Sequence, residues 1–372
     1  MFHLCDMIRP PASPSAAVAS AAPTPGRAAG GNPANRYDRL TVAPEEDGWD
    51  PGEAPPPLRT ETRIERPRAA ITRNSSPDLP FDRSVNPYRG CEHGCIYCFA
   101  RPSHAWLGLS PGLDFESRLI ARPEAPRLLA EELSRRGYRP ATLAIGTNTD
   151  PYQPIERTHR VMRGLLEVLR DFRHPVAVVT KGALIERDLD LLAELAELEL
   201  VRVGISMTTL DRDLSRRMEP RAPAPARRLQ TIERLAAAGV PVRVMVAPVI
   251  PGLTDPELEA ILARAREAGA QAASWIMLRL PLEVEPLFRD WLAEHYPDRA
   301  GRVMARLCEM HDGAAYRSGW NRRMRGEGPY ADMIAQRFRL ATARLGLAVA
   351  QPDLSAELFR VPPRAGDQLS LF

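Results

Sequence analysis

From about residue 124 onward, the chain alternates two kinds of apolar pattern. Short runs rich in β-branched residues occur at ATLAIGTNT (141–149), VAVVTK (176–181), LVRVGIS (200–206), VRVMVAP (242–248) and ASWIMLRL (273–280). These have the length and composition of buried strands. The segments EAPRLLAEELSRR, RVMRGLLEVLRDF, RDLDLLAELAE, PARRLQTIERLAAAG and DPELEAILARAREAG carry apolar residues at three-and-four spacing, and two of them end at glycine. Strands that alternate with helices predict a parallel sheet, because parallel neighbours cannot be joined by a hairpin. One more strand, near residues 83–88, brings the total to six β/α units. This fits an α/β fold of the partial (β/α)6, TIM-barrel type better than a closed eightfold barrel. Beyond Pro281 the pattern turns helical, in PLFRDWLAEHY, GRVMARLCEM and YADMIAQRFRLATARLG.

The flanks read differently. Residues 1–35 are Ala, Pro, Ser and Gly with few large apolar groups, and are expected to form a disordered N-terminal tail. Residues 36–80 stay proline-rich and polar and predict an irregular arm. The barrel is then assigned to 81–281, a helical extension to 282–347, and a flexible tail to 348–372.

Composition narrows the class. No stretch approaches the roughly 18 uninterrupted apolar residues of a membrane helix, and the N-terminus lacks a basic start followed by an apolar run. A cytoplasmic protein without membrane contact is expected. The net charge of +3 neither demands nor excludes a polyanionic partner. Lys181 is the only lysine, so this position is singled out among basic residues that are otherwise arginine; capping of a strand end is the plainer role for it.

Three of the five cysteines, Cys91, Cys95 and Cys98, fall within eight residues, and an odd total argues against a disulfide framework. Soft thiolates at C-x3-C-x2-C spacing suit an iron-sulfur cluster or zinc. A structural zinc site needs four protein ligands, and only His93 lies within the loop as a fourth. Three thiolates on a 4Fe-4S cubane leave one iron open to another ligand.

The stretch NPYRGCEHGCIYCFARPSH resembles the signature of radical S-adenosylmethionine (radical SAM) proteins, and the flanking sequence is similar to their spore photoproduct lyase-like branch. The similarity runs from about residue 74 to 345, through GTNTDPYQPIE, VVTKG, GISMTTLDRDL, MEPR, AAAGVPVRVMVAPVIPG and LRLPLEVEPLF. It implies an enzyme in which a 4Fe-4S cluster, held by Cys91, Cys95 and Cys98, cleaves S-adenosylmethionine to a 5′-deoxyadenosyl radical. It also implies an electron donor such as flavodoxin or ferredoxin. By position, Tyr97 would pack on the adenine side, Lys181 would meet the cofactor carboxylate, and Ser206 would hydrogen-bond to the cofactor. Thr147, Asn148, Thr149 and Asp150 follow a predicted strand and would share that mouth, binding cofactor or substrate; a turn-forming role is the simpler alternative. Glu219 and Arg221 in MEPR are read as a site ion pair or a helix-end contact. The chain departs from the lyase in two places. AIGTNTDP lacks the cysteine that returns hydrogen to the product radical, and Phe99 stands where the lyase has tyrosine. Cys308 is either a substitute donor or a small buried hydrophobe.

Three features bear on a nucleic-acid substrate. YRSGWNRRMR (316–325) interleaves aromatics with arginines, a mixture that suits phosphates and bases or simply a solvated helix end. A second basic stretch contains Arg212, Arg216, Arg217, Arg221, Arg227 and Arg228. The terminal DQLSLF resembles the peptide by which bacterial replication and repair proteins bind the sliding clamp. Gln368 would be its polar anchor, and Leu369, Leu371 and Phe372 its apolar contacts. Three functions follow as expectations: a clamp-recruited radical enzyme acting on DNA, a radical enzyme modifying a protein, RNA or small metabolite, and a non-catalytic iron-sulfur module that binds nucleic acid.

Overall fold

The computed structural model of the 372-residue chain describes residues 26–38, 58–351 and 353–363. In chain order its strands are β1 Glu61–Ile64, β2 Ile71–Arg73, β3 Arg83–Val85, β4 Tyr88–Arg89, β5 Arg118–Ala121, β6 Leu143–Ile145, β7 Val176–Thr180, β8 Val201–Ser206, β9 Val242–Val249 and β10 Ala272–Met277. The helices are α1 Leu113–Ser117, α2 Ala125–Leu133, α3 Glu156–His159, α4 Val161–Asp171, α5 Leu189–Glu197, α6 Arg212–Met218, α7 Pro225–Ala237, α8 Leu258–Glu267, α9 Val284–His295, α10 Pro297–Met310 and α11 Pro329–Leu345.

The main sheet runs β10-β9-β8-β7-β6-β3-β2, parallel throughout except for the antiparallel pair β2-β3. The six parallel strands are the five that the apolar runs predict and the one expected near residues 83–88, and among the described residues the sheet does not close on itself. Alternation along each strand separates its two faces. In β7, Val176, Val178 and Thr180 are buried, while Val179 turns to the concave side with Met245 and Ala247 of β9. Helices cover the outer face: Met162, Leu165, Leu166 and Leu169 of α4 are completely buried. Each such side chain contributes about 1.5–3 kcal/mol by leaving water. Gly204 of β8 makes room for the Met245 side chain, whose sulfur would lie 2.8 Å from a Cβ placed there.

Three of the flanking expectations need correction. Residues 26–35, expected to be disordered, lie against the cysteine loop: Ala29 is buried, and Arg27 donates to the Glu116 carbonyl at 2.6 Å. Within the segment read as an irregular arm, β2 joins the main sheet and β1 pairs in parallel with β5 in a small sheet of order β1-β5-β4. The tail read as flexible from residue 348 is held as far as residue 360. Ala348 exchanges backbone hydrogen bonds with Gln271 and Ala273 at the β10 edge, and Phe359 packs on Tyr138, Phe172 and His174. In each case the anchoring partner is distant in sequence, so local composition carries no trace of it. No helix among the described residues is long and apolar enough to cross a membrane.

Candidate active-site cavity

The long connection from β3 to β6 carries the three cysteines at the C-terminal ends of the parallel strands. Buried Arg101, with no exposed surface, staples this loop from behind. Its guanidinium donates to the carbonyls of Cys95 at 3.0 Å, Gly94 at 3.1 Å, Pro111 at 3.1 Å and Gly112 at 3.0 Å, and pairs with Glu116 at 2.5 Å. The Glu116 carboxylate also accepts the amides of Ala28 and Ala29. Gly94 has φ +65°, and a Cβ there would lie 2.6 Å from the same carboxylate, so the turn and its close packing both require glycine. From the other side, Gln153 bonds the Glu92 amide and the Gly90 carbonyl, and the Ile96 amide donates to Met218.

Held in this way, Cys91, Cys95 and Cys98 line one wall of a cavity of about 370 Å³. Thr147, Asn148, Thr149, Asp150, Lys181 and Ser206 line the same cavity, so the residues read as a mouth from β6, β7 and β8 are brought together. Asp150 accepts the Thr180 hydroxyl at 2.5 Å, the Tyr152 amide at 2.9 Å and the Lys181 amide at 2.7 Å, and its Oδ2 lies 3.3 Å from His93 Nδ1. Burial pushes its carboxyl up. The His93 ring, the Lys181 amide and the Thr180 hydroxyl outweigh burial and hold the pKa at about 2.

Lys181 Nζ donates to Ser206 Oγ at 3.1 Å and lies 5.7 Å from the centre of the Tyr97 ring. Beneath them, buried Glu219 accepts from the Tyr97 hydroxyl, the Arg228 guanidinium and, at 2.8 Å, the Thr208 hydroxyl, and lies 4.0 Å from Lys181. The ion pair read between Glu219 and Arg221 is not formed. Glu219 takes Arg228, while Arg221 takes Glu92 at 2.8 Å. The second basic stretch disperses in the same way, with Arg227 bonded to Glu186.

The opposite wall consists of Leu79, Phe81, Phe99, Ile276, Met277, Arg279, Arg323 and Met324. Segment 316–325 therefore reaches the cavity mouth, fixed by the Met277 amide on the Met324 carbonyl and by Arg323 on Asp78 at 2.6 Å. Cys308 is buried in α10 and does not line the cavity. Residues 368–372 lie outside the described residues. Sequence reasoning missed Arg101, Glu116, Gln153 and Arg279; their partners are too distant along the chain to leave a spacing signal.

Three thiols on one wall are the donor set that suits an iron-sulfur cluster, and His93, the residue that could complete a zinc site, lies 3.3 Å from Asp150. Burial pushes all three thiols up, reinforced at Cys91 by the Asp150 carboxylate and the other two sulfurs. Thiolates clustered here need a cationic group to balance them, as iron would.

Comparison with known proteins agrees with this geometry. Residues 85–265 match the radical SAM superfamily. The chain is 37% identical over 289 residues to the Mycobacterium tuberculosis protein Rv2578c, covering 76% of this chain and 81% of that one. It is 25% identical over 214 residues to the Methanocaldococcus jannaschii protein MJ0683, covering 58% and 76%. Among solved structures, spore photoproduct lyase complexed with dinucleoside spore photoproduct superposes with a TM-score of 0.57 at 15% identity, covering 77% of this chain and 81% of that chain. A mutant of that lyase with bound AdoMet and dinucleoside spore photoproduct gives 0.56 at 15% identity, over the same shares of the two chains. At such identities the likeness is one of fold. Sequence match, fold and the cysteine-lined cavity agree: the chain belongs to the radical SAM superfamily, enzymes that use a 4Fe-4S cluster and S-adenosylmethionine.

Proposed function

We propose that Cys91, Cys95 and Cys98 hold the 4Fe-4S cluster and that the enzyme acts on DNA bearing an altered base. When bound, the cluster supplies one electron that splits S-adenosylmethionine to a 5′-deoxyadenosyl radical. The observation that carries the reading is the position of Lys181. Its ammonium, on the cavity wall shared with the three thiols, makes one hydrogen bond among the described residues, to Ser206, and lies at the edge of ion-pairing distance from Glu219. A compact ammonium there suits a cofactor carboxylate as a point charge. Tyr97, fixed through Glu219, gives the adenine a ring to rest on, and Asp150 with Asn148 and Thr147 supplies polar contacts beside it. The apolar far wall keeps water away from the radical.

Support for DNA comes from Arg323 of segment 316–325 on the cavity wall, with the exposed Trp320 against it, and from a fold shared with spore photoproduct lyase complexed with dinucleoside spore photoproduct. The non-catalytic reading falls with membership in an enzyme superfamily. Recruitment to a sliding clamp through Gln368, Leu369, Leu371 and Phe372, a flavodoxin or ferredoxin as electron donor, and a cytoplasmic location complete the proposal.

The test is anaerobic reconstitution followed by reduction with irradiated DNA carrying deuterium at the lesion. Label entering 5′-deoxyadenosine together with an altered base in the product is the expected result. Formation of 5′-deoxyadenosine with no DNA label or product, but with label taken from a protein, RNA or metabolite, would replace the DNA reading. Deleting residues 368–372 should abolish clamp binding while cofactor cleavage continues.

A further inference from the structure

The far wall of the cavity holds a cation that the described protein leaves without a counter-charge. Arg279, just beyond β10, lies with its guanidinium 4.6 Å from the centre of the Phe99 ring and 5.9 Å from that of Tyr316. Its one polar contact among the described residues is a long one, 3.5 Å to the Tyr316 hydroxyl, and its Nε is buried without any partner. Arg323, on the same wall, is instead neutralised by Asp78 and bonded to Ser76 at 2.6 Å. A buried donor without an acceptor is unfavourable, so Arg279 is held in a state that an incoming anion would relieve. Its contact with the Phe99 ring places the guanidinium before that anion arrives.

We propose that Arg279 is the receptor for an anionic group of the substrate, and that this group is a phosphodiester. A planar guanidinium meets phosphate oxygens with two parallel hydrogen bonds. Its surroundings favour nucleic acid over other phosphates. Phe99 is 42% exposed beside it, Trp320 is 53% exposed and stacks on Arg323 at 4.4 Å, and Arg317, Arg322 and Arg325 stand exposed on the same segment. Rings for bases beside arginines for backbone are the recurrent composition of nucleic-acid grooves. The proposal rests on the DNA reading above and adds the atom that positions the strand relative to the cysteines.

The test uses the reconstituted enzyme with S-adenosylmethionine and the dinucleotide TpT. TpT carries either its natural phosphodiester or a neutral methylphosphonate, so the charge is removed without altering the protein. Equilibrium dialysis should show the natural dinucleotide binding about tenfold more tightly, a difference near 1.4 kcal/mol. Arg279→Gln should erase that preference and Arg279→Lys keep part of it, with iron content checked in both. Equal binding of the two dinucleotides by the parent, or a preference that survives Arg279→Gln, overturns the receptor and leaves the DNA reading standing. Inorganic phosphate separates the two claims. If phosphate raises the melting temperature of the parent but not of Arg279→Gln, and neither dinucleotide binds, the receptor is supported and nucleic acid is removed. No response to phosphate or to either dinucleotide overturns both.

Discussion

On the cysteine side of the cavity, the polar groups are tied into the protein before any ligand arrives. Asp150 holds Thr180 and the Tyr152 and Lys181 amides, Glu219 holds Tyr97, Thr208 and Arg228, and Arg101 holds the loop itself. The facing wall is mostly Leu79, Phe81, Phe99, Ile276 and Met324, with Arg279 nearly unsatisfied among them. The difference separates two tasks. A wall whose hydrogen bonds are settled presents one fixed geometry and suits a ligand that never changes. A wall of apolar surface and one spare charge selects by shape and a single contact, and can differ between relatives without disturbing the chemistry opposite.

The comparison can be broken or sharpened by substitution, and the largest effect is expected at the thiols. Cys95→Ala should lower 5′-deoxyadenosine formation by about 100-fold or more, since even partners outside the ligand set are worth about 10–100-fold at metal sites. Iron analysis and product chromatography would read it, and near-parental iron with full turnover would remove the ligand assignment. Next is Glu116→Ala, which leaves Arg101 buried and charged with carbonyl partners but no counter-charge. A stability loss of about 3–5 kcal/mol in urea unfolding is expected, together with weaker iron retention. A loss below about 1 kcal/mol would mean that the loop stands without its staple.

A pH effect should appear outside both walls. His174 is buried between the Tyr138 hydroxyl at 2.9 Å and the Pro175 carbonyl at 3.0 Å, and burial lowers its pKa from 6.5 to about 4. Between those values the unfolded chain binds a proton that the folded chain refuses. Stability should therefore fall by about 3 kcal/mol as the pH drops from about 6.5 to 4, with no such loss above that window. Unfolding curves of parent and His174→Gln across this window test it, and parallel curves would reject it. On the cofactor wall, Lys181→Ala should weaken S-adenosylmethionine binding about tenfold, or 1.4 kcal/mol. The smallest effect is expected opposite: Ile276→Ala should change that same dissociation constant by about twofold or less. Equal losses at both positions would show that the two walls are not separate in function.

Much of this was readable from local pattern. Five of the six parallel strands announce themselves as apolar runs rich in β-branched residues, because burial on both faces enforces apolarity along the strand. The thiols, Tyr97, Lys181 and Ser206 could be placed in one cavity because each lies on the loop or at a strand end, where a short motif has a known position. What stayed hidden depends on pairs far apart in the chain. β5 is four residues long and is recognisable as a strand only through its partners, β4 and, 57 positions earlier, β1. Arg101 looks like any surface arginine until Glu116 and four carbonyls enclose it. Residues 26–35 look like linker because Ala and Gly bury little surface, yet small residues are what a close approach to the loop permits. Phe99 stands out in the sequence for the phenol it lacks, while its place as the shelf for Arg279 depends on the fold.

The bonds that shape the cysteine loop run from Arg101 and Gln153 to backbone atoms, and none of them engages a sulfur. The cost of ordering the loop is thus met during folding rather than when iron is delivered. Metal-free protein should already protect the amides of residues 91–98 from hydrogen exchange, and cluster insertion should resemble docking onto a finished cradle more than the folding of one.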